Sequence, residues 1–121
     1  MRRILATAAV LTCTLAGLSA CGDDDDGGSE GSDAEPKVIK IRFADGKVTP
    51  NGDRVEIEVG QEVQFIVAAD EAGEIHIHSE PEQELVYDEG EKEYDVTFDK
   101  PGVVEIESHD LEQIIVQLEI E

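Results

Sequence analysis

Three histidines are the residues of this sequence whose type and spacing most clearly suggest chemistry. His76 and His78 are separated by a single residue, and His109 follows later in the chain. Side chains two positions apart on a β-strand project from the same face of the sheet. Two imidazoles from one strand, a third from a neighbouring strand and a water as fourth ligand form a site suited to zinc or Cu(II). One interpretation is therefore a copper or zinc site formed by His76, His78 and His109.

The apolar residues of the same strand support a second interpretation. Ile75 and Ile77 alternate with Glu74, His76 and His78. A half-buried strand turns its apolar residues toward the core, which leaves the alternating polar residues in solvent. On this interpretation the two histidines are solvated and hold no metal, and both interpretations stay open at this point.

The surroundings of His109 leave its direction open in the same way. Strict alternation places Ser108 on the core side and His109 on the other side, but a strand that ends at Ser108 lets His109 turn toward the histidine pair. Glu74, Glu107 and Asp110 are available as a carboxylate ligand or as partners of the ligands. The consecutive residues Ser108-His109-Asp110 do not make a nucleophile relay, because a catalytic triad is defined by geometry and not by adjacency. We predict that the protein is not an enzyme.

The segments that carry these histidines have the period of β-strands. Apolar residues alternate with polar ones in at least five segments after Pro36, and turn sequences separate them. Seven or eight short strands in residues 37–121 predict an all-β domain with a Greek-key β-sandwich fold. We expect its core to include Ile41, Val55, Ile57, Val63, Phe65, Val67, Val96, Phe98, Ile106, Val116 and Leu118.

The first twenty residues are typical of an export signal. Met1-Arg2-Arg3 is basic, and Ile4 to Leu18 is an apolar run too short to cross a bilayer comfortably. The run ends in Leu18-Ser19-Ala20-Cys21-Gly22, which resembles the lipobox of bacterial lipoproteins. The resemblance implies that Cys21 receives diacylglycerol and palmitate and anchors the mature chain on the extracytoplasmic face of the cell membrane. The alternative is an ordinary secretory signal cleaved after Ala20, which leaves a free thiol.

Residues 21–36 predict a tether between the lipid and the domain. The stretch is dominated by Asp, Glu, Gly and Ser and has a single alanine as its apolar residue after Cys21. Such a segment cannot bury a core, and its like charges repel one another, so we expect it to be disordered and extended.

The charge of the chain excludes one class of partner. Removal of Arg2 and Arg3 with the leader leaves seven Lys and Arg against thirty Asp and Glu, a net charge of −23. A surface this acidic repels phosphate backbones, so we expect no nucleic-acid binding. It also repels anionic lipid headgroups, so contact with the membrane depends on the anchor at Cys21.

The order of segments in the domain resembles that of the cupredoxins. Residues 55–67, Val-Glu-Ile-Glu-Val-Gly-Gln-Glu-Val-Gln-Phe-Ile-Val, are similar to the family's hairpin. Residues 70–76 correspond to the loop and strand that bear the first copper-ligating histidine. Residues 98–108 contain the Pro-Gly strand that leads into the copper loop, and residues 117–121 correspond to the last strand. The resemblance implies a cupredoxin-like sandwich.

One departure from this family is large. Type 1 copper requires a Cys thiolate, two His and usually a weak axial Met. Ser108 stands near the position of the family's Cys, and Ile115 or Val116 stands where its Met would fall. After Cys21 the chain contains neither Cys nor Met. We therefore predict a degenerate cupredoxin-like domain that lacks type 1 copper and its electron-transfer role.

Two hypotheses for the function follow from these patterns. The first is a non-enzymatic cell-envelope lipoprotein whose domain binds or interacts with a partner, such as another envelope protein. The second is a lipoprotein that binds or handles copper or zinc through His76, His78 and His109. Convergence of the imidazoles favours the second hypothesis, and splayed histidines favour the first.

Overall fold

The structure, a computed structural model, describes residues 32–121, and these residues form nine strands without a helix. Cys21, the leader and most of the predicted tether lie outside the described residues. Within residues 32–121 there is no apolar helix of the length needed to span a membrane. The strands in chain order are β1 (Lys37–Ala44), β2 (Lys47–Thr49), β3 (Asp53–Ile57), β4 (Glu62–Ala69), β5 (Gly73–Ile77), β6 (Gln83–Tyr87), β7 (Gly90–Thr97), β8 (Gly102–Ser108) and β9 (Gln113–Ile120).

The strands form two mixed sheets. The first has four strands in the order β2-β1-β4-β7, and the second has five in the order β3-β9-β8-β5-β6. The pairs β1–β4 and β3–β9 are parallel, and the other neighbours are antiparallel. The predicted all-β sandwich is confirmed, with one strand more than the seven or eight expected.

The additional strand is β2, which forms a hairpin with β1. Asp45 and Gly46 connect the two strands, and both have positive φ, 54° and 68°. An Asp-Gly pair with this conformation matches the right-handed twist of a two-residue hairpin. The dipeptide is visible in the sequence, and it is the signal from which β2 could have been predicted.

The core lies between the inner faces of the two sheets. Every residue of the predicted core is buried except Val55, which is partly buried and packs against the others. Ile75 and Ile77 are fully buried, as their alternation indicates. The core also includes Ile39, Phe43, Val48, Leu85, Tyr87, Val104, Ile115 and Ile120.

The N-terminal side of the domain is attached at the turn between β3 and β4. The backbone N–H of Ser32 donates to the carbonyl of Gly60 at 3.2 Å, and its hydroxyl donates to Glu58 at 2.9 Å. The side-chain amide of Gln61 donates to the carbonyl of Glu35 at 2.6 Å. We call this end of the sandwich, formed by residues 58–61 with residues 32–35, the tether end.

Candidate metal centre

His76 projects from the outer face of the five-stranded sheet. It lies on β5, in register with Glu84 of β6 and Glu107 of β8. Because Ile75 and Ile77 fill the core side, the intervening imidazole points away from the core, and its side chain is 19% exposed. Neighbouring side chains therefore cover most of His76, although it lies on the outside of the sandwich.

His109 reaches His76 because β8 ends at Ser108 and the chain turns. The backbone N–H of His109 donates to the carbonyl of Glu74 at 3.1 Å. The carboxylate of Asp110 accepts a hydrogen bond from the backbone N–H of Glu74 at 3.2 Å. These two bonds hold the turn against β5, and the rings of His76 and His109 stack with centroids 4.7 Å apart and an angle of 18° between their planes.

Gly73 allows this close approach. A Cβ atom at this position would lie 2.6 Å from Oδ2 of Asp110 and closer still to the Tyr87 hydroxyl. Real Cβ atoms do not approach other atoms so closely, so a side chain here would displace Asp110 or Tyr87. The glycine is therefore part of the arrangement that brings His109 beside β5.

Glu74, His76 and His109 form a group with the donor atoms of a metal site. One ligand atom from each of the three residues lies within 4.8 Å of the others. A tetrahedral zinc ion with bonds of about 2.0–2.1 Å requires ligand atoms about 3.3 Å apart. Side-chain rotations that move these atoms by up to about 1.5 Å would meet that requirement. Two imidazoles and one carboxylate also suit Cu(II).

His78 lies outside this group, although it shares a strand face with His76. Its ring centroid is 6.3 Å from that of His76. Its Nε2 lies 2.9 Å from Oε2 of Glu107, and its side chain is 41% exposed. Of the three histidines, the structure thus brings His76 and His109 together, and Glu74 takes the third place beside them.

The carboxylates around His76 control its charge and its tautomer. Its Nε2 is hydrogen-bonded to Glu74, while Oε1 of Glu82 lies 3.5 Å from its Nδ1. The hydrogen bond to Glu74 raises the pKa of His76 above its ordinary value of 6.5; partial desolvation opposes this rise, and the charges of Glu74, Glu84 and Glu82 add to it. In the neutral form, the hydrogen bond to Glu74 favours the proton on Nε2, and a metal bound between these two residues would replace that proton.

The group opens into an acidic depression on the protein surface. His76, His109, Glu107, Asp110 and Glu112 line this space, which has a volume of about 350 Å³. Carboxylates that surround a cleft raise the local concentration of cations. The charge of the depression thus favours cations over anions, and its volume has room for water.

The charge of Asp110 also acts on Tyr87, which stacks on Phe43 with ring centroids 4.9 Å apart. Burial, followed by the nearby charge of Asp110, raises the pKa of Tyr87 to about 12. The phenol therefore remains neutral at physiological pH and does not supply a phenolate ligand.

At the positions where the resemblance places the Cys and Met ligands of cupredoxin copper, this chain has no sulfur atom. Ser108 is fully buried on the core side of β8, and its Oγ accepts a hydrogen bond from the backbone N–H of Leu111 at 3.3 Å. Ile115 and Val116, the two alternatives for the position of the axial ligand, are also fully buried. The side chain of Ser108 ends in a hydroxyl and the other two are hydrocarbons, whereas type 1 copper binds a thiolate and a thioether.

Comparison with solved structures identifies the fold. A variant of amicyanin in its Cu(I) form matches with a TM-score of 0.52 and 15% identity, over 69% of this chain and 82% of that protein. A second amicyanin variant in the Cu(I) form matches with a TM-score of 0.52 and 14% identity, over 74% of this chain and 87% of that protein. A multicopper oxidase from Pediococcus acidilactici matches with a TM-score of 0.55 and 16% identity, over 78% of this chain and 28% of the oxidase.

These similarities confirm the predicted cupredoxin-like β-sandwich, and at such low identity they bear on the fold alone. No family model matches the sequence, and no curated protein matches it at a significant level.

Proposed function

We propose that this chain is a non-enzymatic lipoprotein of the cell envelope that binds zinc or Cu(II) through Glu74, His76 and His109. The observation that carries the proposal is the convergence of these three side chains on the outer face of the five-stranded sheet. Their backbones are joined by the hydrogen bond from His109 to Glu74, so two of the ligand positions are held together before a metal binds.

The donor set favours a borderline metal over calcium or magnesium. Calcium and magnesium prefer all-oxygen coordination, whereas imidazole nitrogen is a good ligand for zinc and Cu(II). The two imidazoles of the group therefore argue for a transition metal. A water would complete the coordination, and the neighbouring carboxylates would offset the charge of the ion.

The alternative function is a domain that interacts with a partner and uses its histidines only as solvated polar residues. The inward isoleucines and the exposed His78 are what that hypothesis expects. The largely covered His76 and its stacking on His109 favour metal binding instead. The ligand set we propose differs from three histidines because Glu74 replaces His78.

Calorimetric titration with Zn²⁺ and Cu²⁺ tests the proposal. The protein is the mature chain from residue 21 with Cys21→Ser, in about 0.5 M NaCl, where a Debye length of about 4 Å screens diffuse attraction to the acidic surface. We expect one ion per chain. His76→Ala and His109→Ala should each weaken binding at least about ten-fold, and Glu74→Gln should weaken it by a smaller factor.

His78→Ala is the matched control, because it removes an imidazole from the same strand face and leaves Glu74, His76 and His109 in place. It should leave the affinity within about two-fold of the unmodified chain. Absence of a stoichiometric site at high salt would refute metal binding and favour the interaction hypothesis. Equal losses in His78→Ala and His76→Ala would instead support the three-histidine site.

A lipid anchor at Cys21 would hold the candidate metal site away from the membrane. Residues 32–35 attach at the tether end, whereas His109 follows the opposite end of β8. The six residue steps of β8 correspond to about 20 Å of extended strand. An anchor at Cys21 would thus attach the domain by the end remote from the metal ligands and leave them accessible from the extracytoplasmic space.

The anchor has its own test. Cys21→Ser in the full chain should release the protein into the medium or leave it unprocessed, because no acyl group can be attached. Retention of this variant in the detergent-extracted membrane fraction, at the level of the unmodified chain, would refute the lipoprotein assignment without affecting the metal proposal.

A further inference from the structure

The outer face of the four-stranded sheet has an ordered arrangement of charge. In one register row, Lys40 of β1 is beside Ile66 of β4, which is beside Glu93 of β7. In the next row on this face, Arg42 is beside Ala68, and Ala68 is beside Glu91. These two rows run from a cation through an apolar residue to an anion, whereas the adjoining row of Val38, Gln64 and Asp95 carries only an anion. We call this surface the charged-row face.

The cations of the charged-row face have no ion pair in the described part of the chain. Among residues 32–121, the ion pairs formed by Lys and Arg are Arg54–Glu119 and Lys100–Glu80. Lys40 and Glu93 are two strand spacings apart, which is about 9.6 Å, and Ile66 lies between them. Lys37, Lys47 and Lys92 form no ion pair among these residues either, so the face is distinguished by the order of its charges and not by missing pairs.

We infer that this face binds a second copy of the chain in a twofold dimer. Rotation of a copy by 180° about an axis parallel to β4 exchanges the two sides of the face. Lys40 of one protomer then meets Glu93 of the other, Arg42 meets Glu91, and the two Ile66 side chains meet at the axis. A twofold interface must be self-complementary, and the charged rows satisfy this condition.

The shape of the face is compatible with such a contact. Ile66 and Ala68 are partly buried, while the four charged side chains are exposed. A shallow depression of about 300 Å³ lies among Lys40, Arg42, Ile66, Ala68 and Glu91 and can receive a side chain from the opposite copy. Glu74, His76 and His109 lie on the outer face of the other sheet, so the candidate metal site stays accessible in both copies.

The size of the face predicts a weak dimer. In this dimer β1, β4 and β7, each eight residues long, face one another and cover roughly 380 Å² per protomer, or about 760 Å² in total, which is less than the roughly 1,000 Å² of a stable specific interface. Each mature chain also carries a net charge of −23, which opposes association at low salt. We expect dimerisation at moderate or high salt, strengthened when anchoring raises the local concentration.

Cross-linking of the full chain in its own membrane tests the geometry. Ile66→Cys places a thiol at the twofold axis, and a bismaleimide that spans about 8 Å suits sheets packed about 10 Å apart. We expect a covalent dimer in the presence of a metal chelator. Val103→Cys, an exposed position on the other sheet, and the unmodified chain, with Cys13 and Cys21 alone, are the controls. Absence of the cross-link, or an equal yield from Val103→Cys, would overturn the dimer.

Charge reversal tests the pairing itself by sedimentation of the mature chain with Cys21→Ser in about 0.5 M NaCl. Lys40→Glu and Glu93→Lys should each weaken the dimer at least about ten-fold, because each creates two like-charge contacts. An equimolar mixture of the two variants should restore association as a heterodimer, and Lys100→Glu should have no effect.

Two results of this experiment would overturn the proposal. The first is a mixture that associates no better than either variant alone. The second is a monomeric chain that binds vesicles of anionic lipid and loses this binding in Lys40→Glu. In the second case the charged-row face contacts a membrane and not a second protomer.

Discussion

The backbone N–H of His109 and the backbone carbonyl of Glu74 are joined by a hydrogen bond of 3.1 Å. This bond connects the turn after β8 to β5, and it places two potential metal ligands from distant parts of the sequence side by side. Because it involves only main-chain atoms, it persists when either side chain is replaced. Ligand substitutions at these positions should therefore change metal affinity without unfolding the sheet.

Gly73→Ala tests whether this backbone arrangement sets the metal affinity. The added methyl group would lie 2.6 Å from Oδ2 of Asp110 and closer still to the Tyr87 hydroxyl, so these side chains must move, and with Asp110 the hydrogen bond that holds the turn of His109. We expect zinc affinity to fall about ten-fold although no ligand is removed, as is common when a group that positions a ligand is altered. Asp110→Asn is the control, because it retains an acceptor for the Glu74 N–H and should bind more tightly than Gly73→Ala. Unchanged affinity in Gly73→Ala would contradict this role.

The raised pKa of His76 predicts how the stability of the metal-free protein depends on pH. The hydrogen bond to Glu74 is the main cause of the rise above 6.5. A group whose pKa is higher in the folded state binds protons more readily there. Its stabilising contribution is complete below 6.5 and disappears as the pH rises through the raised pKa. In metal-free protein, we expect unfolding by denaturant to become easier across this interval.

His76→Gln should remove this part of the pH dependence, whereas His109→Gln should leave most of it. Zinc binding should show the opposite trend, because a protonated imidazole cannot bind a metal. Its affinity should begin to fall on acidification at a pH above 6.5, the ordinary value for histidine. An identical pH dependence of stability in His76→Gln and the unmodified chain would contradict the assignment to His76.

The net charge of the mature chain predicts stabilisation by salt. Raising NaCl from about 0.05 M to about 1 M shortens the Debye length from about 14 Å to about 3 Å and screens the repulsion among carboxylates. We expect the melting temperature to rise by at least about 5 °C, which corresponds to about 1 kcal/mol for a domain of this size. A neutral osmolyte is the control, because it stabilises proteins through its exclusion from their surface but does not screen charge. A flat or falling melting temperature in NaCl would contradict the prediction.

The fold could be predicted from the sequence because the alternation of apolar residues reports directly on burial. Ile75 and Ile77 illustrate this, since their period alone places them in the core. The β2 strand was missed because it is only three residues long and carries one buried apolar side chain, Val48. The Asp45-Gly46 dipeptide, and not periodicity, is its signal.

The membership of the candidate site could be predicted only in part. Alternation placed His76 and His78 on one face, but it could not determine which lateral neighbours each would contact. That depends on the register between β5 and β8, in which His76 is opposite Glu107. The direction of His109 depends on a turn held by backbone bonds to Glu74, and local periodicity carries no information about such long-range contacts.

Ser108→Cys tests whether the domain can form type 1 copper when a thiol is restored near the family's position. Ser108 is opposite Ile75 in the β5–β8 register, and both side chains point into the core. His76 is the next residue on β5, so it projects from the opposite face of the same sheet. A thiol at position 108 would thus be separated from the imidazole of His76 by the sheet itself.

We therefore expect Ser108→Cys to fold with a loss of about 1 kcal/mol, because the thiol accepts the Leu111 hydrogen bond poorly. Added Cu(II) should produce no intense visible band, since that absorption requires a Cu(II)–thiolate bond. The unmodified chain should likewise show only the weak colour of nitrogen and oxygen ligation. Absorption spectroscopy of both proteins at equal copper loading is the measurement. An intense band in Ser108→Cys alone would mean that the histidines can turn inward, and the outer-face site would then be wrong.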